Sequence, residues 1–369
     1  MAVRTPIVVK RGGATPSVGW VRPSDWLTIP EIAAGEEVVY ILQSVWDVVG
    51  NFAAVRFGGD YTVDWSDGTI ENFASGVKAE HQYAWADVGD VTSEGFRQAL
   101  IKVTPQTGRN ITLVDLQQYH TTIGGDASSQ FIDVVMNIPN VSGTNLTIGG
   151  LTIRHRIIER VWIKEIGAVT SMIRMFHSCY SLQSVPLFDT SSVEGMYLMF
   201  AHCYSLQSVP LFDTSSVEDM DYMFYYCYSL QSVPLFDTSS VTSMIRMFYS
   251  CYLLQSVPLF DTSSVTTMYQ MFYYCLSLQS VPLFDTSLVT YMAEMFASCY
   301  SLQRNQMTGT KVSFSLSESI MSAAAIDELG NSVADMTGFT SPTVTLTGNY
   351  GVADADLTIW TNKNWTVIS

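Results

Sequence analysis

Six cysteines are the residues whose type and spacing most invite a chemical reading. They are Cys179, Cys203, Cys227, Cys251, Cys275 and Cys299, each 24 residues after the last. Thiols can bridge, bind a soft metal or act as nucleophiles. A disulfide framework shows mixed spacings and a zinc site shows close pairs, and this series shows neither. Stacked at one register, the thiols form a ladder of parallel Cβ vectors, which is poor geometry for bridging. They are expected to be buried, reduced core residues. The five histidines are His81, His120, His155, His177 and His202. His177 and His202 fall at outer positions of neighbouring repeats and are read as surface residues. Asp64 and Asp67 flank a turn. Two such carboxylates suit calcium, but Asp is also a common turn former, and the turn reading is preferred. No G-x-S-x-G, P-loop, H-E-x-x-H or Rossmann fingerprint occurs. No catalytic residue, metal or cofactor is assigned, and the chain reads as a binding protein, not an enzyme.

The elements that position these residues are repeats. Met-Phe opens a unit at Met175, Met199, Met223, Met247, Met271 and Met295. A fixed period in the twenties is the signature of a solenoid. Within one unit, Leu254, Val257 and Leu259 have L-x-x-L-x-L spacing, and Val257 and Leu259 are expected to point inward from a short strand. Val265, Met268, Met271, Phe272 and Cys275 then fit one face of a helix. Ser191 with Glu194, and Ser215 with Glu218, have capping-box spacing for that helix. A single unit cannot offset the entropy of ordering its own residues, so neighbours and end caps must complete the core. Upstream, Ile158, Val161 and Ile163 fill the slots of a degenerate first unit. Downstream, Val312, Phe314 and Leu316 alternate like a strand, Ser319 to Leu329 reads as a helix, and Thr343 to Thr347 as another strand.

The expected fold class is α+β: an N-terminal β-sandwich, then a leucine-rich-repeat-like strand-and-helix solenoid with terminal caps. The expected division is an attachment arm over 1–37, the sandwich over 38–115, a β-rich connector or cap over 116–157, the solenoid over 158–303, and capping units over 304–369.

Of the 369 residues, 47% are apolar and 14% charged, which suits a compact, ordered protein. The net charge is −16. Between Phe176 and Gln303 there are ten acidic residues and one basic residue, Arg246. Such a surface repels phosphate, so nucleic acid and anionic membrane are poor partners. The first 14 residues hold Arg4, Lys10 and Arg11 but no apolar stretch of signal-peptide length. No apolar run approaches a membrane span, so neither a standard signal nor membrane insertion is expected.

The copies are nearly identical at core positions and differ mainly at outer ones, illustrated by Tyr225, Tyr226, Thr242, Ser243, Ile245 and Arg246. Tyrosine dominates there, at Tyr197, Tyr222, Tyr225, Tyr226, Tyr249, Tyr269, Tyr273, Tyr274 and Tyr291. Two readings stay open. Exposed positions drift after duplication, or these form a diversified recognition face, since Tyr gives a large contact area at low entropy cost. A second series, Phe188, Phe212, Phe236, Phe260 and Phe284, each followed by Asp, is read as packing between turns.

The pattern M-F-x-x-C-x-x-L followed by F-D-T-S-x-V-x-x-M, as in Met223 to Met244, resembles the BspA-type leucine-rich-like repeats of bacterial surface proteins. That resemblance covers about 145 residues and implies a solenoid with a role in adhesion. Tyr61 to Thr69, reading Y-T-V-D-W-S-D-G-T, with His81-Gln82-Tyr83, is similar to the polycystic-kidney-disease (PKD) type of β-sandwich. Val63 and Trp65 alternate into a Ser66-Asp67-Gly68 turn, which supports a hairpin. The combination is similar to bacteriophage tail-fibre and other virion proteins. It implies an adhesin of the virion tail that binds a host cell-surface protein or glycan. It further implies attachment to other virion proteins through the arm, and a homo-oligomer. The alternatives are a bacterial cell-surface adhesin and a structural virion protein without a receptor.

Overall fold

The computed structural model describes residues 22–47, 51–118, 120–121, 130–144, 146–149 and 157–369. The first ten strands are β1 (Val38–Val45), β2 (Asn51–Gly58), β3 (Tyr61–Asp64), β4 (Ile70–Phe73), β5 (Lys78–Tyr83), β6 (Arg97–Pro105), β7 (Leu113–Asp115), β8 (Phe131–Ile138), β9 (Leu146–Thr147) and β10 (Arg160–Ile166). They form a six-stranded sheet, β10-β8-β1-β6-β3-β4, and a four-stranded sheet, β5-β2-β7-β9. Ile41, Val63 and Ile101 of the first sheet share one buried core with Val55, Phe57 and Val114 of the second. The β3–β4 turn has Ser66 and Gly68 at positive φ, and the Trp65 amide donates to the Thr69 carbonyl.

β1 and β8 are buried along their whole length. Residues 22–37 explain why both faces are apolar. Trp26 packs with Leu42, Phe96 and Ile132, while Ile29 and Ile32 pack on Val38, Tyr40 and Val135. Of the proposed arm, residues 1–21 lie outside the described residues. β8 comes from the stretch read as a connector, yet it lies inside the large sheet. β10 does two jobs. It pairs in parallel with β8, and Arg160 bridges Ser184 of the next coil. The sheet thus covers the open end of the solenoid.

The remainder is mostly β, a solenoid of about eight turns with very few helices. Parallel bridges climb one side through Ser171, Gly195, Asp219, Ser243, Thr267 and Tyr291. On another side Ser256 bridges Ser280, and β11 (Ser280–Val281) pairs with β12 (Arg304–Asn305). At the C-terminal end β13 (Phe314–Ser315), β14 (Thr343–Thr345) and β15 (Thr366–Ile368) form a parallel sheet. Two α-helices lie there, α1 (Ala323–Ser332), N-capped by Ser322, and α2 (Thr358–Thr361).

The helix expected in each repeat is absent from the described coils. Its place is taken by consecutive turns whose amides alternate in direction. The amides of Met223, Tyr225 and Cys227 donate three residues back, to Met220, Tyr222 and Phe224. Those of Tyr222, Phe224 and Tyr226 donate to Ile245, Met247 and Tyr249 of the next coil. Two left-handed residues per coil, such as Tyr222 (φ 58) and Tyr226 (φ 60), make this alternation possible. The physical reason is spacing. Phe200, Phe224 and Phe248 stack at 5.6 and 5.5 Å between centroids. Packed helices need about 8–10 Å between axes. Coils this close satisfy their backbone across the stack instead.

Two further expectations change with the helix. Ser191 and Ser215 do not cap one; their amides donate to the Asp189 and Asp213 carboxylates at 2.9 and 3.1 Å, closing Asx turns, and their hydroxyls add a second bond at 2.7 Å each. Leu259 does not point inward. The Phe260 amide donates to the Pro258 carbonyl, a tight turn centred on Leu259 that pushes its side chain out to 56% exposure. Leu187, Leu211, Leu235 and Leu283 share that exposed register, while Val257 is buried.

All six cysteines are free and buried. Cys203, Cys227, Cys251, Cys275 and Cys299 donate to phenylalanine carbonyls 27 residues back, at 3.0–3.2 Å. Burial pushes the thiols up, to about 12 at Cys299. The Phe188 series is buried, with Phe188 tilted on Phe212 and Phe260 stacked between Phe236 and Phe284, and its Asp residues cap turns.

Candidate recognition face

The outer positions where the copies disagree lie on and beside the turn segment. Because coils repeat at roughly strand spacing, side chains 24 residues apart meet. Tyr225 packs on Tyr249 at 4.9 Å, and Tyr249 on Tyr273 at 4.7 Å. Tyr222 joins this row through Tyr225 at 5.4 Å and reaches Tyr197 at 5.7 Å. Tyr226 and Tyr274 join through Tyr225 and Tyr273. Tyr269 stacks on Tyr291 at 5.1 Å. The Arg246 guanidinium carbon lies over Tyr222, Tyr249 and Tyr269 at 5.5, 5.8 and 5.1 Å. All nine tyrosines therefore belong to one connected set. Tyr274 and Tyr291 are exposed, at 39% and 52%, and the other seven are half-buried. Burial, then the neighbouring tyrosines, push Tyr249 up to about 12 and raise Tyr225 as well, so these two rings stay phenolic at neutral pH.

Arg246 donates to the Gln270 side-chain oxygen and to the Tyr222 hydroxyl. Gln270 in turn donates to Glu294. One register thus carries a polar chain across four coils. On its flank, Asp221 accepts from the Ser243 hydroxyl and the Ile245 amide, both at 2.6 Å. Burial, opposed by the Ser243 bond, raises its carboxyl to about 6, with Asp219 adding repulsion. A carboxyl raised in the folded state favours folding at low pH, and that contribution is lost as pH rises through about 6. Asp221→Asn keeps an acceptor oxygen and removes the charge. It should stabilise the protein at pH 7.5 by about 1 kcal/mol, a linkage value discounted for solvent screening. The gain should vanish by about pH 4. Thermal melts of both proteins at the two pH values check this, and a gain of equal size at both would exclude it.

The other candidate residues are placed as follows. His202 stacks on Tyr226 at 5.0 Å and extends the aromatic set. His177 is buried rather than exposed, 5.3 Å from His202, with its Nδ1 2.8 Å from the Ser178 hydroxyl. Asp64 accepts from the Ser66 amide and Asp67 from the Thr69 amide, and Asp67 also pairs with His81 at 2.6 Å. His155 lies outside the described residues. Two surface rows, one exposed and one half-buried, were misread or missed in the sequence. One is the leucine row. The other is a second aromatic ladder, Tyr180, Tyr204, Tyr228 and Tyr252, with centroids 4.4–4.8 Å apart. The Cys-Tyr dipeptide recurring at the repeat period was its signal.

Residues 160–255 and 228–325 match the family described as "Mycoplasma protein of unknown function, DUF285". Together they span residues 160–325, the solenoid and the start of its C-terminal cap. This chain is similar to that family over the repeats. No curated protein matches the chain. The match and the solenoid fold are compatible with a repeat surface protein. No helix among the described residues is long and apolar enough to cross a membrane.

Proposed function

We propose that the protein is an adhesin that binds a host cell-surface protein or glycan through the tyrosine face, as a tail-fibre-like component of a bacteriophage virion. One observation carries the recognition part. The positions where nearly identical coils differ converge on a single aromatic surface. Independent drift has no reason to gather tyrosines into one contacting set, whereas contact surfaces enrich them. Nothing in the face calls for catalysis, and we read the chain as a binding protein without a cofactor. The two-sheet region we read as a PKD-like β-sandwich that spaces the solenoid from its anchor. The arm over residues 1–37 would join other virion proteins, and the working form is read as a homo-oligomer. A second reading, a bacterial surface adhesin, is favoured by the family match, whose description names Mycoplasma.

Replacing Tyr225, Tyr226, Tyr273 and Tyr274 together by alanine should weaken binding of the labelled chain to intact host bacteria by at least about tenfold. Unchanged binding by a variant that still melts cooperatively would leave the structural-protein reading in its place. Co-purification with particles, against cell-envelope fractionation, separates the two adhesin readings.

A further inference from the structure

We propose that the tyrosine face takes a basic polypeptide, gripping arginine and lysine side chains of a protein partner. This rests on the reading that recognition occurs on this face, and it selects one partner chemistry.

The surface already carries out this recognition on a side chain of its own. The Arg246 guanidinium is held among three tyrosine rings, with Gln270 and Tyr222 accepting its N–H groups. Cation–π contacts of this kind strengthen where water is partly excluded. The neighbouring coils repeat the ingredients without a cation of their own in the sequence. Tyr273 and Tyr274 pack edge to face, Tyr291 stands 52% exposed beside Tyr269, and the Glu294 charge acts on Tyr273. Rings with a carboxylate at the rim suit a guanidinium or an ammonium.

Charge argues the same way. Arg246 is the sole basic residue between Phe176 and Gln303, against ten acidic ones. Asp219, Asp221 and Glu294 occupy registers that carry tyrosine in other coils, and Glu194 and Glu218 occupy the variable register beside them. An anionic polymer would be repelled. A neutral glycan would hydrogen-bond these carboxylates through its hydroxyls but leave their charge uncompensated, which costs more than an ion pair where water is excluded. A basic polypeptide neutralises them, and its approach is steered by the field of the solenoid.

The test uses the full chain on a biosensor with three probes: a synthetic peptide of alternating Arg and Ser, its Glu-for-Arg counterpart, and a neutral maltodextrin. Only the Arg peptide should bind. Two triple variants carry equal changes in net charge. Glu218→Gln/Asp219→Asn/Glu294→Gln neutralises the tyrosine face. Asp213→Asn/Asp237→Asn/Asp261→Asn neutralises the separate row of turn-capping carboxylates and keeps Asx-forming side chains. The first should weaken Arg-peptide binding by about tenfold, and the second by less than about threefold. Tyr274→Ala/Tyr291→Ala, at two exposed positions, should behave like the first. Equal losses in the two triple variants would reduce the effect to bulk charge and overturn the proposal, as would tyrosine-dependent binding of maltodextrin or no binding of the Arg peptide. If the tyrosine variants lose cell binding while the Arg peptide neither binds nor competes, the recognition face stands and the basic partner falls. If they keep cell binding, the face itself falls.

Discussion

Replacing Phe248 by alanine should destabilise the solenoid by about 3–5 kcal/mol, the range for deleting a buried aromatic ring. Phe248 is fully buried between Phe224 and Phe272, at 5.5 and 5.6 Å, with ring planes tilted by 4° and 3°. It also lies 6.4 Å from Phe260 of the second phenylalanine series. The neighbouring coils cannot collapse into the space left behind, because inter-coil amide bonds such as Phe248 to Met271 hold their spacing. The loss should also be shared unevenly. In a solenoid each coil touches only its neighbours. Phe272→Ala, in the adjacent coil, should couple to Phe248→Ala by about 0.5–3 kcal/mol, whereas Phe176→Ala, three coils away, should add to it within about 0.5 kcal/mol. Urea unfolding of the single and double variants reads both. A cost under about 1 kcal/mol, or strict additivity with Phe272→Ala, would contradict this packing.

The same ladder shows what could be read before the fold was known. The period of 24 and the apolar set of Met, Phe, Cys, Leu and Val were legible, because burial follows residue type whichever backbone carries it. Every one of Met247, Phe248, Cys251, Leu254 and Val257 is buried. The helix was not legible as wrong. Steps of three and one between apolar residues fit a helix, and they equally fit turns that alternate right- and left-handed residues. What distinguishes them is whether an amide bonds within its own coil or to the next, a contact 23 residues away that local spacing does not encode. Leu259 was misplaced for the related reason that a single tight turn after Pro258 reverses the inward alternation. At the candidate site, differences between copies singled out the nine tyrosines. That they touch, and that Arg246 sits among three of them, depends on neighbours one coil up and down. His177 was misread because an outer position in most coils is covered at the end of the stack, where the Gly149 amide bonds to the neighbouring Met175 carbonyl.

Asp133 had no signal at all, since it is one carboxylate inside the apolar run of β8, yet Asp133→Asn should cost about 3 kcal/mol. The side chain is fully buried. Arg160 of β10 donates to it twice, at 2.8 Å to each oxygen, and Arg22 donates at 3.0 Å. Arg22 also bonds the carbonyls of Trp26 and Leu27. One carboxylate therefore ties the segment at residues 22–37, the large sheet and the strand that opens the solenoid. Removing its charge strands two partly buried guanidiniums, and breaking a buried pair from one side costs about 3–5 kcal/mol. Both arginines keep some solvent contact, which places the effect at the lower end. A matched control is Asp60→Asn, which breaks the pair with the exposed Arg109 at 3.2 Å, keeps an acceptor for the Ser75 amide, and should cost less than about 1 kcal/mol. Thermal melts rank the two variants, and limited proteolysis locates the damage. Cleavage should rise within residues 22–37 in Asp133→Asn, and the repeats, held by their own ladders, should stay protected. Equal melting of the two variants would mean that the junction is held by apolar packing alone. Because β10 passes directly from the sheet into the first coil, a junction held by Asp133 fixes the direction in which the sheet presents the tyrosine face.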